Sequence, residues 1–240
     1  MTIVKTVLYI LVFLVLLYII INVFFKKSNT LTRIHNGDET QTVLANSLPY
    51  NNNTSNYTYS TWFYVEDWNY RFGEEKTLLQ RVDQDGNPSP GIVLGAVENN
   101  ITVSVSCYPQ NQTDDGTISS TSIVHKCTIP NFPLQTWVNL IISLYGRTLD
   151  MYIDGKLVRT CVLPGVAKVN PEANISVTPG GGFSGWTSKY EYWDNATNPQ
   201  QAYNIYKSGY GGSALGGLFN KYKLKVSFLE DNQEQASFKI

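Results

Sequence analysis

Between Val7 and Phe25 the chain reads VLYILVFLVLLYIIINVFF, nineteen residues with no charge and one polar interruption at Asn22. A helix of that length spans roughly 28 Å, close to the hydrocarbon thickness of a bilayer. Lys5 lies before the run and Lys26 and Lys27 after it, where long side chains reach the headgroup region. The pattern predicts a single transmembrane helix within residues 1–27, with the lipid bilayer as partner through Val7 to Phe25. A cleaved secretory signal would have a shorter apolar core and then small residues, whereas Phe24, Phe25, Lys26 and Lys27 follow here. A buried core helix would carry a polar stripe. Lys26, Lys27 and Arg33 outweigh Lys5, which weakly favours a cytosolic body by the positive-inside bias.

The remainder is mildly acidic. Of 18 basic residues three flank the apolar run, leaving 15 against 19 acidic ones. With only 15% of residues charged, a domain that grips nucleic acid by neutralising phosphates is excluded. Two His and three Cys argue against a multi-ligand zinc site, and no metal or cofactor is expected. Hydrophobic content of 42% and 16 Tyr exclude wholesale disorder.

Residues 28–56 are polar and Asn-rich and read as a stalk, with a short strand around Gln41–Leu44 as an option. From Tyr57 onward period-two alternation recurs between turn signals. Strands are predicted at Tyr57–Val65, Thr77–Val82, Ile92–Val97, Ile101–Cys107, Trp137–Tyr145, Leu149–Ile153, Lys156–Leu163, Ala173–Val177 and Trp186–Trp193. Asp154–Gly155 is a hairpin turn by composition. The one helical signal is Asn198–Tyr206, an N-cap Asn before Pro, closed by Gly209. The fold class that follows is all-β, an antiparallel two-sheet sandwich over 57–210. A Gly-rich linker and tail, 211–240, come last. In that tail Lys221, Lys223 and Lys225 alternate with Tyr222, Leu224, Val226 and Phe228. This segment is either the closing strand of the sandwich or an arm that adds to another subunit.

The segments TWFYVEDW (Thr61–Trp68), TLLQR (Thr77–Arg81), QTWVNLIISLYGRTLDMYIDGKLV (Gln135–Val158), GGFSGW (Gly181–Trp186) and NPQQAYNIY (Asn198–Tyr206) occur in this order. Together they resemble the laminin-G-like, concanavalin A-like jelly rolls, which implies a jelly-roll sandwich. An N-terminal anchor joined to such a domain, with this closing helix and tail, is similar to membrane-anchored virion proteins of large double-stranded DNA viruses. That second resemblance implies a non-enzymatic minor capsid protein linking an internal viral membrane to the capsid shell, with other capsid or membrane proteins as partners. The alternative it leaves open is a surface lectin that attaches to host glycans.

Some jelly rolls of this kind cleave polysaccharides with carboxylates in an E-x-D-x-E or E-x-D-x-x-E strand pattern, whose alternation aims them into one cleft. No such pattern occurs here, and no catalytic residue is assigned. Asp83 and Asp85 share spacing, but within the turn-forming run DQDGNPSPG; they read as a solvated loop or, less simply, calcium ligands. Candidate ligand or partner contacts are Trp68, Tyr70 and Phe72 in the loop DWNYRFGEE, and Trp193, since ring faces suit sugar C–H surfaces and protein partners alike. Trp186, Tyr190 and Tyr192 share one strand parity and Trp193 has the other. Cys107 and Cys127 flank a polar loop whose ends are expected to pair, which makes a disulfide between them geometrically reasonable, with Cys161 left as a small buried residue. Asn52, Asn53, Asn56, Asn100, Asn111, Asn174 and Asn195 open N-glycosylation sequons, which carry sugar only if the body faces a lumen.

Overall fold

The computed structural model describes residues 30–49, 54–109 and 122–211, the backbone of two tail strands, and six positions of the N-terminal run. Those six, Leu11, Phe13, Leu14, Val15, Leu17 and Tyr18, are helical and exposed. The rest of the expected anchor lies outside the described residues. Among the described residues no helix is long and apolar enough to cross a membrane.

Two antiparallel sheets form the body. The first contains β1 (Thr30–Thr32), β2 (His35–Asn36), β4 (Tyr57–Asp67), β9 (Trp137–Tyr145), β10 (Thr148–Ile153), β11 (Lys156–Val162) and β13 (Ser184–Trp193). Its order is β1-β13-β4-β9-β10-β11, with β2 also on β13. The second contains β3 (Gln41–Val43), β5 (Lys76–Val82), β6 (Pro88–Leu94), β7 (Ile101–Cys107), β8 (Ile123–Ile129) and β12 (Ile175–Val177), in the order β3-β12-β5-β6-β7-β8. Alternation explains the core. Val138, Leu140, Ile142 and Leu144 of β9 face inward with Tyr57, Tyr59, Phe63 and Val65 of β4. They meet Leu78, Ile92, Ile101 and Val103 of the opposite sheet.

Residues 30–43, expected in the stalk, supply strands to both sheets: β1 and β2 lie against β13, and β3, which matches the short strand offered around Gln41–Leu44, pairs with β12. β1 and β2, of three and two residues, carry too few alternations to stand out, yet β2 and β3 seat His35 and Val43 in the interior. The His35 imidazole contacts Thr187 Oγ1 at 3.0 Å and the Arg33 carbonyl at 3.2 Å. Burial pushes its pKa below the ordinary 6.5, against weaker opposing effects from the Arg33 carbonyl and Glu39. A depressed folded-state pKa means that protonation favours the unfolded chain, so this contribution is complete above about pH 6.5 and disappears as pH falls through the folded value. Thermal melts at pH 7 and pH 5 should show a larger loss for the native chain than for His35→Gln.

Among the described residues the tail adds no strand to the sandwich, so the closing-strand option is not what they show; residues 221–224 lie outside the described residues. Within the tail β14 (Lys225–Glu230) pairs with β15 (Gln233–Lys239) in a separate two-stranded sheet.

The expected Cys107–Cys127 disulfide is also corrected. β7 and β8 do pair, but the register sets Cys107 opposite Ile123 and Cys127 opposite Val103, so the two cysteines lie four positions apart along the ladder. Cys127 bonds instead to Cys161, with Cα atoms 6.4 Å apart. Since β8 and β11 are the outermost strands on the same flank, this bond joins one sheet to the other. Cys107 is a free, buried thiol.

Candidate functional site

The outer face of the first sheet is roofed by the helix Pro199–Lys207. The Asn198 side chain accepts from Gln201 N at 2.9 Å, and Gln201 Oε1 accepts from Asn198 N at 3.1 Å, a reciprocal cap that fixes where the helix begins. Ala202 then packs on Ile141 and Tyr152, and Tyr206 stacks on Trp62 with ring centroids 5.6 Å apart. Gly155 permits this approach, since a Cβ there would lie 2.9 Å from Tyr206 Cβ and its φ is +72°. The strand-to-helix turn is pinned from below. Thr58 Oγ1 donates to the Asn195 carbonyl at 2.7 Å, and Thr197 N donates to Ser143 Oγ at 2.8 Å.

Between the end of β13 and this helix lies a cleft of about 390 Å³, lined by Trp193, Asn195, Ala196, Thr197, Gln201, Asn204 and Ile205. Trp193 is half-buried; Asn195, Gln201 and Asn204 are exposed. Gln201 Oε1 serves the cap, and Asn204 Oδ1 accepts from Gln200 at 3.2 Å. Their amide nitrogens have no partner among the described residues. Asn195 Nδ2 donates to Asp194 at 3.0 Å, which leaves its oxygen as an acceptor. The cleft thus sets an indole and two apolar side chains beside uncommitted donors and acceptors. A larger groove of about 510 Å³ between β1 and β3 is lined by Leu31, Thr32, Gln41, Thr42, Val43, Leu44 and Ser47; it has no ring and no titratable group.

The other three candidate aromatics are not part of this cleft. β4 joins the two places: Trp193 pairs with Thr58 near its start and Ser184 with Asp67 at its end, roughly 30 Å apart at the rise of a strand. Trp68 is built into the body. Its Nε1 donates to the Val97 carbonyl at 2.9 Å, its ring meets Phe132 edge-on, and Lys76 Nζ sits 4.7 Å from the ring centre. Tyr70 OH donates to the Gly181 carbonyl at 3.0 Å. Phe72 alone of the three is openly exposed, at 56%. On β13, a bulge at Lys189 (φ +52°) breaks the parity. Tyr190 and Tyr192 face the core, while Trp186 is 42% exposed on the outer side.

The Asp83–Asp85 loop binds an internal cation. Lys168 Nζ lies 2.8 Å from Asp85 Oδ2 and Ser122 Oγ donates to the same oxygen at 2.9 Å, and these two hydrogen bonds hold the Asp85 pKa below the ordinary value. Asp83 accepts from Ser106 Oγ at 2.6 Å and from Asn87 N at 2.8 Å. Burial alone would raise its carboxyl, but these donors keep it below the ordinary value. Among the described residues no three His, Cys, Asp or Glu side chains gather as a metal site. Of the sequons, Asn174 and Asn195 are exposed, and Asn56 and Asn100 half-buried. Asn52, Asn53 and Asn111 lie outside the described residues.

A double-layered antiparallel body with a helix on one outer face is the framework of a jelly-roll domain. The family profile of the concanavalin A-like lectin/glucanases superfamily matches residues 36–202, and the chain belongs to that superfamily. No curated protein sequence matches significantly. Among solved structures, the receptor binding domain of botulinum neurotoxin D is similar in fold, with a TM-score of 0.55 at 13% identity over 76% of this chain and 45% of that one. The serotype D domain in complex with N-acetylneuraminic acid gives 0.53 at 14% identity, over 76% of this chain and 44% of that one. The mosaic serotype C/D domain, with tetraethylene glycol bound on its Hcn sub-domain, gives 0.54 at 13% identity, over 76% of this chain and 44% of that one. The chain thus spans less than half the length of these domains, and the likeness is one of fold.

Proposed function

We propose that this chain is a membrane-tethered, non-enzymatic, lectin-like protein that binds carbohydrate in the Trp193 cleft. The observation that carries this reading is the juxtaposition of the Trp193 indole with one uncommitted amide atom each from Asn195, Gln201 and Asn204. A pyranose offers an apolar C–H face to the ring and hydroxyls to the amides. Membership in a superfamily of lectins and glucanases supports it. The non-enzymatic reading is supported by the sequence, in which no strand carries the E-x-D-x-E or E-x-D-x-x-E spacing of paired carboxylates. The Val7–Phe25 run would supply a single-pass anchor. The Cys127–Cys161 bond favours an oxidising compartment for the body, in line with the sequons and against the weak charge bias.

Trp193→Ala should weaken binding on a glycan array by about tenfold or more, about 1.4 kcal/mol, with the fold retained by circular dichroism. Array binding that survives this change would remove the cleft from consideration.

A second reading, a minor capsid protein at the interface between an internal virion membrane and the shell, draws on a different surface. β11 is an outermost strand whose Leu157, Val158 and Val162 are exposed, and such an edge suits strand addition by a neighbouring protein. Cross-linking in intact particles through Lys156 would identify that neighbour.

A further inference from the structure

Resting on the carbohydrate reading, we infer that the Trp193 cleft is built for a neutral terminal sugar, a hexose or N-acetylhexosamine, and rejects a sialylated one. None of its seven lining residues is charged. The charge adjoining it is negative: Asp194, whose carboxylate is held beside the rim by Asn195 Nδ2 at 3.0 Å. The cations nearest in sequence or packing are engaged elsewhere. Lys207 lies over the Tyr203 ring at 5.5 Å, Lys189 donates to Ser208 and the Gly209 carbonyl, and Arg147 donates to the Leu163 and Pro164 carbonyls. A carboxylate entering the cleft would therefore lose water without gaining a counter-charge and would face Asp194, both unfavourable. Hydroxyls fit instead. They accept from Gln201 Nε2 and Asn204 Nδ2 and donate to Asn195 Oδ1, while Trp193, Ala196 and Ile205 take the C–H face of the ring. At about 390 Å³ the cleft is near the small end of ligand sites, which suits the tip of a glycan rather than a length of polysaccharide.

The test uses the full chain, produced in bacteria so that the Asn195 sequon on the rim carries no sugar of its own, and held in lipid nanodiscs free of glycoside detergent. Its binding is read on paired glycans identical except for a terminal sialic acid. The neutral member should bind about tenfold or more tightly than its sialylated partner, and Trp193→Ala should abolish the preference. Asn204→Lys, at an exposed helix position, should lift sialylated binding about tenfold by supplying the missing cation. Trp193-dependent binding that favours the sialylated glycan would overturn this inference and leave the carbohydrate reading intact. No Trp193-dependent binding to any glycan would overturn both.

Discussion

Phe63→Ala should destabilise the domain by about 3–5 kcal/mol, a large part of the 5–15 kcal/mol typical of a folded domain. Phe63 is fully buried on the central strand β4 and meets Phe132 and Phe183 edge-on, with centroids 5.5 and 6.4 Å away. Phe132 in turn braces Trp68, and the Phe183 backbone N–H donates to the Gly37 carbonyl at 3.1 Å. Removing the ring leaves a cavity whose walls belong to three separate segments, so collapse around it is restricted. Urea unfolding followed by tryptophan fluorescence would measure the effect. A change below about 1 kcal/mol would show that these aromatics do not act as a common bracket. Phe63→Leu, which retains much of the volume, should lose far less.

Loss of the Cys127–Cys161 bond is the second large effect expected. The bond closes a loop of sequence separation 34, worth about 4 kcal/mol in the chain-entropy account. For a domain of this size that is a fall in Tm of roughly 8–16 °C. The paired change Cys127→Ser and Cys161→Ser should reproduce the Tm of the native chain under reductant, and adding reductant to the double variant should change nothing further. Cys107→Ser tests the assignment, because its melt should remain sensitive to reductant. If Cys107→Ser removed that sensitivity and Cys161→Ser did not, the bond would lie elsewhere.

Much of the sandwich was legible because side-chain alternation survives wherever a strand has one face in the core. β7 and β9 begin and end where the pattern does, and the Asn198-Pro199 cap marked the helix to within a residue. What escaped notice depends on non-local register. β8, IVHKCTI, follows a polar stretch and reads as its continuation. Only the first half of β6 was hidden, since it starts at Pro88 inside a run of prolines and turn formers, ahead of the expected Ile92. Cys161 finds Cys127 only once the two sheets are superposed, and the Lys189 bulge inverts parity without a glycine or proline to announce it. The cleft was half visible. Trp193 stood out as an aromatic of the opposite parity, but Gln201 and Asn204 join it only through the docking of a helix whose polar side reads as ordinary solvent exposure. Trp68 and Tyr70 show the converse, since rings on a polar loop turned out to be braces for the backbone around Gly181 and Val97.

The sandwich is riveted on one flank only. Opposite the Cys127–Cys161 pair, the margins of both sheets are the short ribbons β1 and β3, which follow directly on the N-terminal segment. Under the proposed tether, a pull from that segment would load these three-residue strands first, while the covalently locked flank would keep the two layers in place.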